Sequence, residues 1–173
     1  QMAAFFREYR DTLLAFTGII IALLSLWFTW SQSQEQIKHN HISVEPRMNA
    51  YFSNDGRANK SGIYIINNGM WTAFVSAISA TVNGKKVEPV AGNIFVGAVQ
   101  ALGLDIQCFV IGGPRPNDSF KVGEEIFLIE ARGTDGRCSG DSLILRSAAL
   151  DSARLDFVLD IESIYGDRFR YVY

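Results

Sequence analysis

The chain has 173 residues, of which 48% are hydrophobic and 20% are charged, a composition typical of a packed globular protein and not of a disordered segment. Its formal net charge is −2, so the sequence lacks the basic surface that binds a long nucleic acid. A short anionic ligand held in one pocket is compatible with this charge.

The first predicted element is an apolar helix over residues 12–30, a stretch without a charged residue or a proline. At about 1.5 Å per residue, it covers the roughly 30 Å hydrocarbon core of a bilayer. Trp27 and Trp30 lie at its end, where indole rings favour the headgroup layer. We therefore predict one membrane-spanning helix in contact with membrane lipid.

Two other interpretations of this stretch are a cleaved signal peptide and a buried core helix. Ser31-Gln32-Ser33 weakly imitates the small residues at a signal-peptide cleavage site, although the apolar run is long for a signal peptide. A core helix would more usually hold about 10–14 apolar residues.

A stripe of small and polar residues follows this helix in alternating steps of four and three. We name it the small-residue stripe, and its members are Asp11, Ala15, Gly18, Ala22, Ser25, Thr29 and Gln32. Helices in lipid associate through close backbone approach and polar contacts, and this spacing is typical of a left-handed bundle. The stripe predicts a homo-oligomer, with a tetramer as our guess. Dry helix packing and a pore lining would produce the same pattern.

The rest of the chain divides into a polar stalk and a soluble domain. Residues 31–41 lack glycine and proline and can continue the helix as a stalk, so that residues 1–41 form the membrane part and residues 42–173 the domain. Pro46 lacks an N–H, so the first strand should be an edge strand or contain a break. Asn83-Gly84 predicts a tight hairpin, and Asn93 can cap a short helix that ends near Leu104.

About eight strands, separated by turn signals at regular spacing, are expected in the domain. The segment 155–162 alternates apolar and acidic residues, which is typical of a strand with one buried face. We therefore predict a mainly β chain: an antiparallel β-sandwich, Ig-like or jelly-roll-like, preceded by one long N-terminal transmembrane helix.

Motifs for catalysis or metal binding are missing from the sequence. It contains no HExxH, GxSxG, Walker or EF-hand pattern, and its two histidines, His39 and His41, fall in the stalk. Asp156, Asp160 and Glu162 lie on the exposed face of a predicted strand, where Arg168 and Arg170 are plausible cross-strand partners. We therefore expect no enzyme, no cofactor and no metal.

Cys108 and Cys138 leave the compartment open, because they can pair outside the cytoplasm or stay reduced inside it. Neither has CxxC spacing, and Cys138 falls in a predicted loop over residues 133–140. We expect both to be ordinary small residues. The alternative is an extracytoplasmic domain with a Cys108–Cys138 disulfide.

Five segments of the chain resemble a recurrent bacterial architecture with one N-terminal span. They read HNHISVEP, GIYIINNG, TVNGKKV, VGEEIFLIEAR and LDFVLDIESIYGDRF. Some proteins of this kind are similar to the membrane effector subunits of anti-phage defence operons of the Hailong type. There, a nucleotidyltransferase partner makes a short DNA signal, and the effector oligomerises and permeabilises the inner membrane.

This resemblance covers most of the chain, but its motifs are structural and carry no ligand-binding residue. Met70-Trp71-Thr72 replaces the Gly-Pro that often follows NNG, and Glu45 replaces a common basic residue. Lys and Arg residues on the two sides of the span are balanced, so the positive-inside rule gives no orientation. The resemblance implies a bacterial inner-membrane protein with a cytoplasmic domain.

The expected function is therefore a single-pass membrane effector in anti-phage defence. Its helix would mediate homo-oligomerisation and form or gate a pore, under the control of a cytosolic partner enzyme or a short nucleotide signal bound at the β-sandwich. The alternative is a membrane-anchored, non-enzymatic adaptor or binding module.

Overall fold

The computed structural model describes residues 2–43, 45–58, 60–132 and 136–173, without the side chains of residues 2–8, 11 and 40–43. The chain divides into two compact units, Gln1–Ser43 and Val44–Tyr173.

The first unit is one continuous helix, α1, which runs from Met2 to Ser43. Its segment Thr12–His39 is long and apolar enough to cross a membrane, and none of the apolar window is buried within the chain. The alternative of a buried core helix is therefore excluded, and the helix continues through residues 31–41, as expected for a stalk. Large apolar side chains exposed around most of a helix are unfavourable in water, which favours a lipid environment for this segment.

Within the described residues, the second unit contains nine strands in two antiparallel sheets. In chain order they are β1 Met48–Asp55, β2 Lys60–Asn67, β3 Ala73–Val82, β4 Lys85–Lys86, β5 Phe109–Ile111, β6 Ser119–Phe120, β7 Glu125–Ala131, β8 Leu155–Glu162 and β9 Arg168–Val172. The first sheet has the order β1-β2-β7-β5, and the second has the order β4-β3-β8-β9, with β6 also paired to β3. The predicted edge position of β1 is confirmed.

One core cluster contains apolar residues from both sheets. In β8, Leu155, Phe157, Leu159 and Ile161 are buried and alternate with more exposed residues, as the sequence pattern predicts. Ile63 and Ile65 of β2 belong to the same cluster. Burial of each such side chain contributes about 1.5–3 kcal/mol relative to exposure, so this shared cluster stabilises both sheets together.

The domain also contains two helices, α2 Ile94–Ala101 and α3 Ser139–Ala149. The Asn93 cap is confirmed, since its side-chain oxygen accepts a hydrogen bond from the Phe95 N–H at 2.8 Å. Helix α3 was not expected, although Leu145, Ala148 and Ala149 have helical spacing and are buried. Together with α1, these helices contain about as many residues as the strands. The expectation of a mainly β chain is therefore confirmed only in part. Strands outnumber helices in the second unit, but over the whole described chain the two have about equal shares.

Gly62 allows β2 and β7 to approach each other closely at an irregularity in their pairing. It pairs with Glu130, and the register shifts between Ile63 and Tyr64. A Cβ atom at Gly62 would lie 2.1 Å from the Ile129 carbonyl oxygen and 2.8 Å from the Glu130 Cα. Only glycine fits between these backbone atoms.

We predict that Gly62→Ala destabilises the domain by about 3 kcal/mol, because the added methyl group must push two paired strands apart. Gly56→Ala is the matched control, since a Cβ there meets no atom within 4 Å. Thermal unfolding of the full-length protein in detergent, followed by circular dichroism, would measure both. Equal melting temperatures for the two variants would contradict the close approach.

Candidate functional site

The described side chains of the small-residue stripe all lie exposed on α1. These are Ala15, Gly18, Ala22, Ser25, Thr29 and Gln32. Asp11 belongs to α1, but its side chain lies outside the described residues. A regular helix places the described members along one side, at three- and four-residue spacing. The helix therefore presents a narrow strip of small side chains along most of its apolar length.

The hydroxyl groups of the stripe are satisfied within their own helix. Ser25 Oγ donates a hydrogen bond to the Ile21 carbonyl oxygen at 2.8 Å, and Thr29 Oγ1 donates to the Ser25 carbonyl oxygen at 2.8 Å. Thr17, which lies off the stripe, makes the same kind of bond to Leu14 at 2.9 Å. These bonds lower the cost of placing hydroxyl groups in lipid, while each oxygen can still accept a further hydrogen bond.

Gly18 has open space around its Cα. A Cβ atom built there meets no atom within 4 Å. A larger side chain at Gly18 would therefore be accommodated within this chain. Any effect of such a substitution on assembly would come from contact with another molecule.

The acidic face of β8 is an ion-paired surface. Arg170 Nε donates to Asp160 Oδ1 at 2.7 Å, and Arg168 Nε donates to Glu162 Oε1 at 3.0 Å. The guanidinium group of Arg170 also lowers the pKa of Asp160. The predicted cross-strand pairs are thus confirmed for these two acids. Among the described residues, one buried carboxylate oxygen of Asp156 has no hydrogen-bond partner.

Metal ligands do not cluster in the part of the chain that the structure describes, where no group of three or more His, Cys, Asp and Glu residues could hold an ion. His39 is exposed on α1, and the side chain of His41 lies outside the described residues.

A polar cluster on β1, β2 and β7 was missed in the sequence analysis. Tyr51 Oη donates to Glu125 Oε2 at 2.7 Å, Lys60 pairs with the other oxygen of Glu125, and Tyr64 Oη donates to Glu130 Oε2 at 2.6 Å. Hydrogen bonds from Lys60 and Tyr51 lower the pKa of Glu125. Burial and the bond to Glu130 raise the pKa of Tyr64. These groups bind one another, which is typical of a structural cluster that covers a sheet face.

The Asn-Asn-Gly segment after β2 has a structural role, which depends on Asn67. Asn67 is fully buried; its Nδ2 donates to the carbonyl oxygens of Trp71 at 2.8 Å and Phe120 at 3.1 Å, and its Oδ1 accepts from the Gly69 N–H at 2.9 Å. Its backbone bonds to Gly123 and Glu124. The side chain of Asn67 thus joins the loop before β3 to β6, and its backbone joins the segment between β6 and β7.

The Ser-Ile-Tyr-Gly turn between β8 and β9 also has a structural role. Ser163 is buried, and its Oγ accepts hydrogen bonds from the backbone N–H groups of Tyr165 and Asp167, both at 3.2 Å. The motifs on which the family resemblance depends therefore hold loops in place.

Cys108 and Cys138 form a disulfide, which corrects the expectation of two ordinary small residues. Their Cα atoms are 5.4 Å apart, although 30 positions separate them in sequence. Cys108 is fully buried and precedes β5, while Cys138 precedes α3. The fold brings the two cysteines together, and their spacing in the sequence does not predict this pairing. Disulfides of this kind are typical of oxidising compartments.

No protein-family model matches the chain, and no curated protein matches it.

We predict that Asn67→Ala destabilises the domain by about 2–4 kcal/mol, because it leaves buried backbone groups without hydrogen bonds. Asn68→Ala is the control, since the neighbouring Asn68 is exposed. Chemical unfolding of the full-length protein in detergent would compare them. A loss of stability in Asn68→Ala as large as that in Asn67→Ala would contradict this role.

Proposed function

We propose that this chain is a single-pass membrane effector that homo-oligomerises through the small-residue stripe of α1. The assembled helices form or gate a pore, and the β domain controls them. The observation that carries the proposal is the exposed stripe of small residues along an apolar helix that the chain itself leaves uncovered.

Close helix approach is the physical basis of the proposed assembly. Lipid chains are as apolar as leucine, so helices in a bilayer gain little from hydrophobic contact and associate where small residues let their backbones meet. Gly18 and Ala22 are one turn apart, and the open space at Gly18 is available to a neighbouring helix. The stripe therefore supports a helix–helix contact between copies.

Polar groups near the end of the span support a pathway for water or ions. Ser25, Thr29 and Gln32 lie towards the stalk end of the stripe, so a ring of helices would bring several sets of them together. Because Ser25 and Thr29 donate to their own backbone, a separate helix is also tolerated in lipid. A helix that is stable both alone and assembled can respond to a signal.

The proposed controller is the β domain, whose two sheets we infer to pack as a sandwich. The likeness to anti-phage effectors supports a bacterial inner-membrane location, a cytoplasmic domain, and control by a partner enzyme or a short nucleotide signal.

We predict that Gly18→Leu combined with Ala22→Leu abolishes the oligomer, because two bulky side chains would hold the backbones apart. Thr17→Leu is the control, since it adds similar bulk to the same helix away from the stripe. Native mass spectrometry in detergent would measure the number of copies. In a bacterial host, high expression of the wild type and of Thr17→Leu should slow growth, and the double variant should not.

An oligomer of unchanged mass in the double variant would exclude the stripe as the interface. Unchanged toxicity of a monomeric double variant would exclude the pore.

A second candidate function, an extracytoplasmic binding module held by a membrane anchor, is favoured by the Cys108–Cys138 disulfide. In that case the helix serves only as an anchor. The module would bind its partner outside the cytoplasm, where the disulfide persists.

Alkylation of free thiols in denaturant, immediately after acid-quenched lysis of the cells, would distinguish the two candidates; denaturation is needed because Cys108 is fully buried in the folded domain. For the anchored module, we expect both cysteines to escape alkylation and the unreduced protein to be lighter than the reduced protein by two hydrogen atoms. For an effector with a cytoplasmic domain, we expect both cysteines to be alkylated. Alkylation of both would therefore exclude the second candidate.

A further inference from the structure

The first half of helix α3 is held to the β domain by few contacts. The buried residues of α3 are Leu145, Ala148 and Ala149, and all three lie in its second half. Between Ser139 and Ile144, no side chain is buried. A helix as short as α3 is marginal in water on its own, and burial of an apolar face usually supplies the missing stability. The first half of α3 must therefore be stabilised in another way.

The sequence of this half is also a weak helix former. Gly140 lies in the first turn, and glycine favours the helix less than any other residue except proline. Cys138, which immediately precedes α3, makes no side-chain hydrogen bond that would cap the first turn. Local propensity and capping therefore add little to the stability of this segment.

Three contacts join the start of α3 to the short segment before β5. The Asp105 N–H donates a hydrogen bond to Asp141 Oδ2 at 2.9 Å, and Arg137 lies 3.7 Å from Asp105 Oδ2 and donates to Gln107 Oε1 at 3.1 Å. These polar contacts are exposed, so water competes for them and they add little stability. The disulfide differs from both, because it is covalent and its Cys108 end is fully buried.

The two sulfur atoms of the disulfide differ in their access to solvent. Cys108 is fully buried in the core cluster, whereas Cys138 is partly exposed. A thiolate exchanges with a disulfide at the sulfur that it can reach. It can therefore attack Cys138 while Cys108 stays in the core, where a reduced cysteine behaves as a small hydrophobic side chain. Reduction does not require the core to open.

We propose that the Cys108–Cys138 disulfide is a redox switch for the first half of α3, operated at Cys138 by a dithiol reductant. One thiolate of the reductant attacks Cys138 Sγ, the S–S bond breaks, and Cys108 leaves as a thiolate that takes up a proton. The second thiolate of the reductant attacks the reductant's own sulfur in this mixed disulfide, and Cys138 leaves and is protonated in turn. Two electrons thus pass to the protein, and the reductant becomes a disulfide.

Reduction removes the strongest tie at the start of α3, so this half of the helix unfolds locally while the buried second half stays in place. The Tyr173 hydroxyl, which donates to the Ala149 carbonyl oxygen at 2.8 Å, helps to hold that second half. The inference is independent of the proposed function, because it concerns the β domain alone. A reducing cytoplasm would favour the released form, and an oxidising compartment the fixed form.

Amide hydrogen exchange, followed by mass spectrometry on the full-length protein in detergent, tests this switch. The protein is compared as purified without reductant and after treatment with dithiothreitol. We expect the reduced protein to be heavier by two hydrogen atoms, with about ten-fold faster exchange over residues 142–146 and unchanged exchange over β8. Oxidised glutathione should then restore the slow exchange.

Cys138→Ser is the matched control, since it lacks the disulfide without any reductant. We expect its residues 142–146 to exchange as fast as those of the reduced wild type, with or without dithiothreitol. A disulfide that dithiothreitol reduces only in denaturant would overturn the proposal, and so would a reduced protein with unchanged exchange over residues 142–146. Faster exchange over β8 in the reduced wild type would also overturn it, because the disulfide would then stabilise the whole domain.

Discussion

The structure depends on one constraint: an apolar helix that the rest of the chain leaves uncovered must find its apolar surroundings elsewhere. Leu13, Leu14, Leu23 and Leu26 are all more than half exposed, and they lie on the sides of α1 that the small-residue stripe does not occupy. The β domain has its own core and needs nothing from this helix. Lipid satisfies the bulky residues but gives no particular stabilisation to the small-residue stripe. The proposed neighbouring copy would make use of both properties.

The two units are stabilised by different kinds of interaction. The domain is held by a core shared between two sheets, by the disulfide and by Asn67, and all of these operate in water. Helix α1 is held by backbone hydrogen bonds, to which Ser25 and Thr29 add their own.

Patterns within a few residues of one another predicted much of this fold. The length of the apolar run, the alternation of β8, the cap at Asn93 and the edge position next to Pro46 all follow from local rules, and the structure contains each of them. Helix α3 was missed because its three buried residues occupy a short segment after a glycine-rich loop. The disulfide and the Tyr51–Glu125 cluster join residues distant in sequence, so only the fold brings them together.

The loop motifs explain why the family resemblance carries little information on chemistry. Asn67 and Ser163 are buried and use their polar atoms on backbone groups, so their identity is required by the turn and not by a ligand. Proteins with different partners could share these residues because they share the turns. Two residues that differ from the resembling proteins follow the Asn-Asn-Gly motif directly. Met70 and Trp71 occupy the positions where Gly-Pro is common in those proteins. An exposed methionine and tryptophan in place of that pair change the surface while the turn is kept. The residues that distinguish this chain from the resembling proteins are therefore exposed, and the motif residues are those that hold the turn.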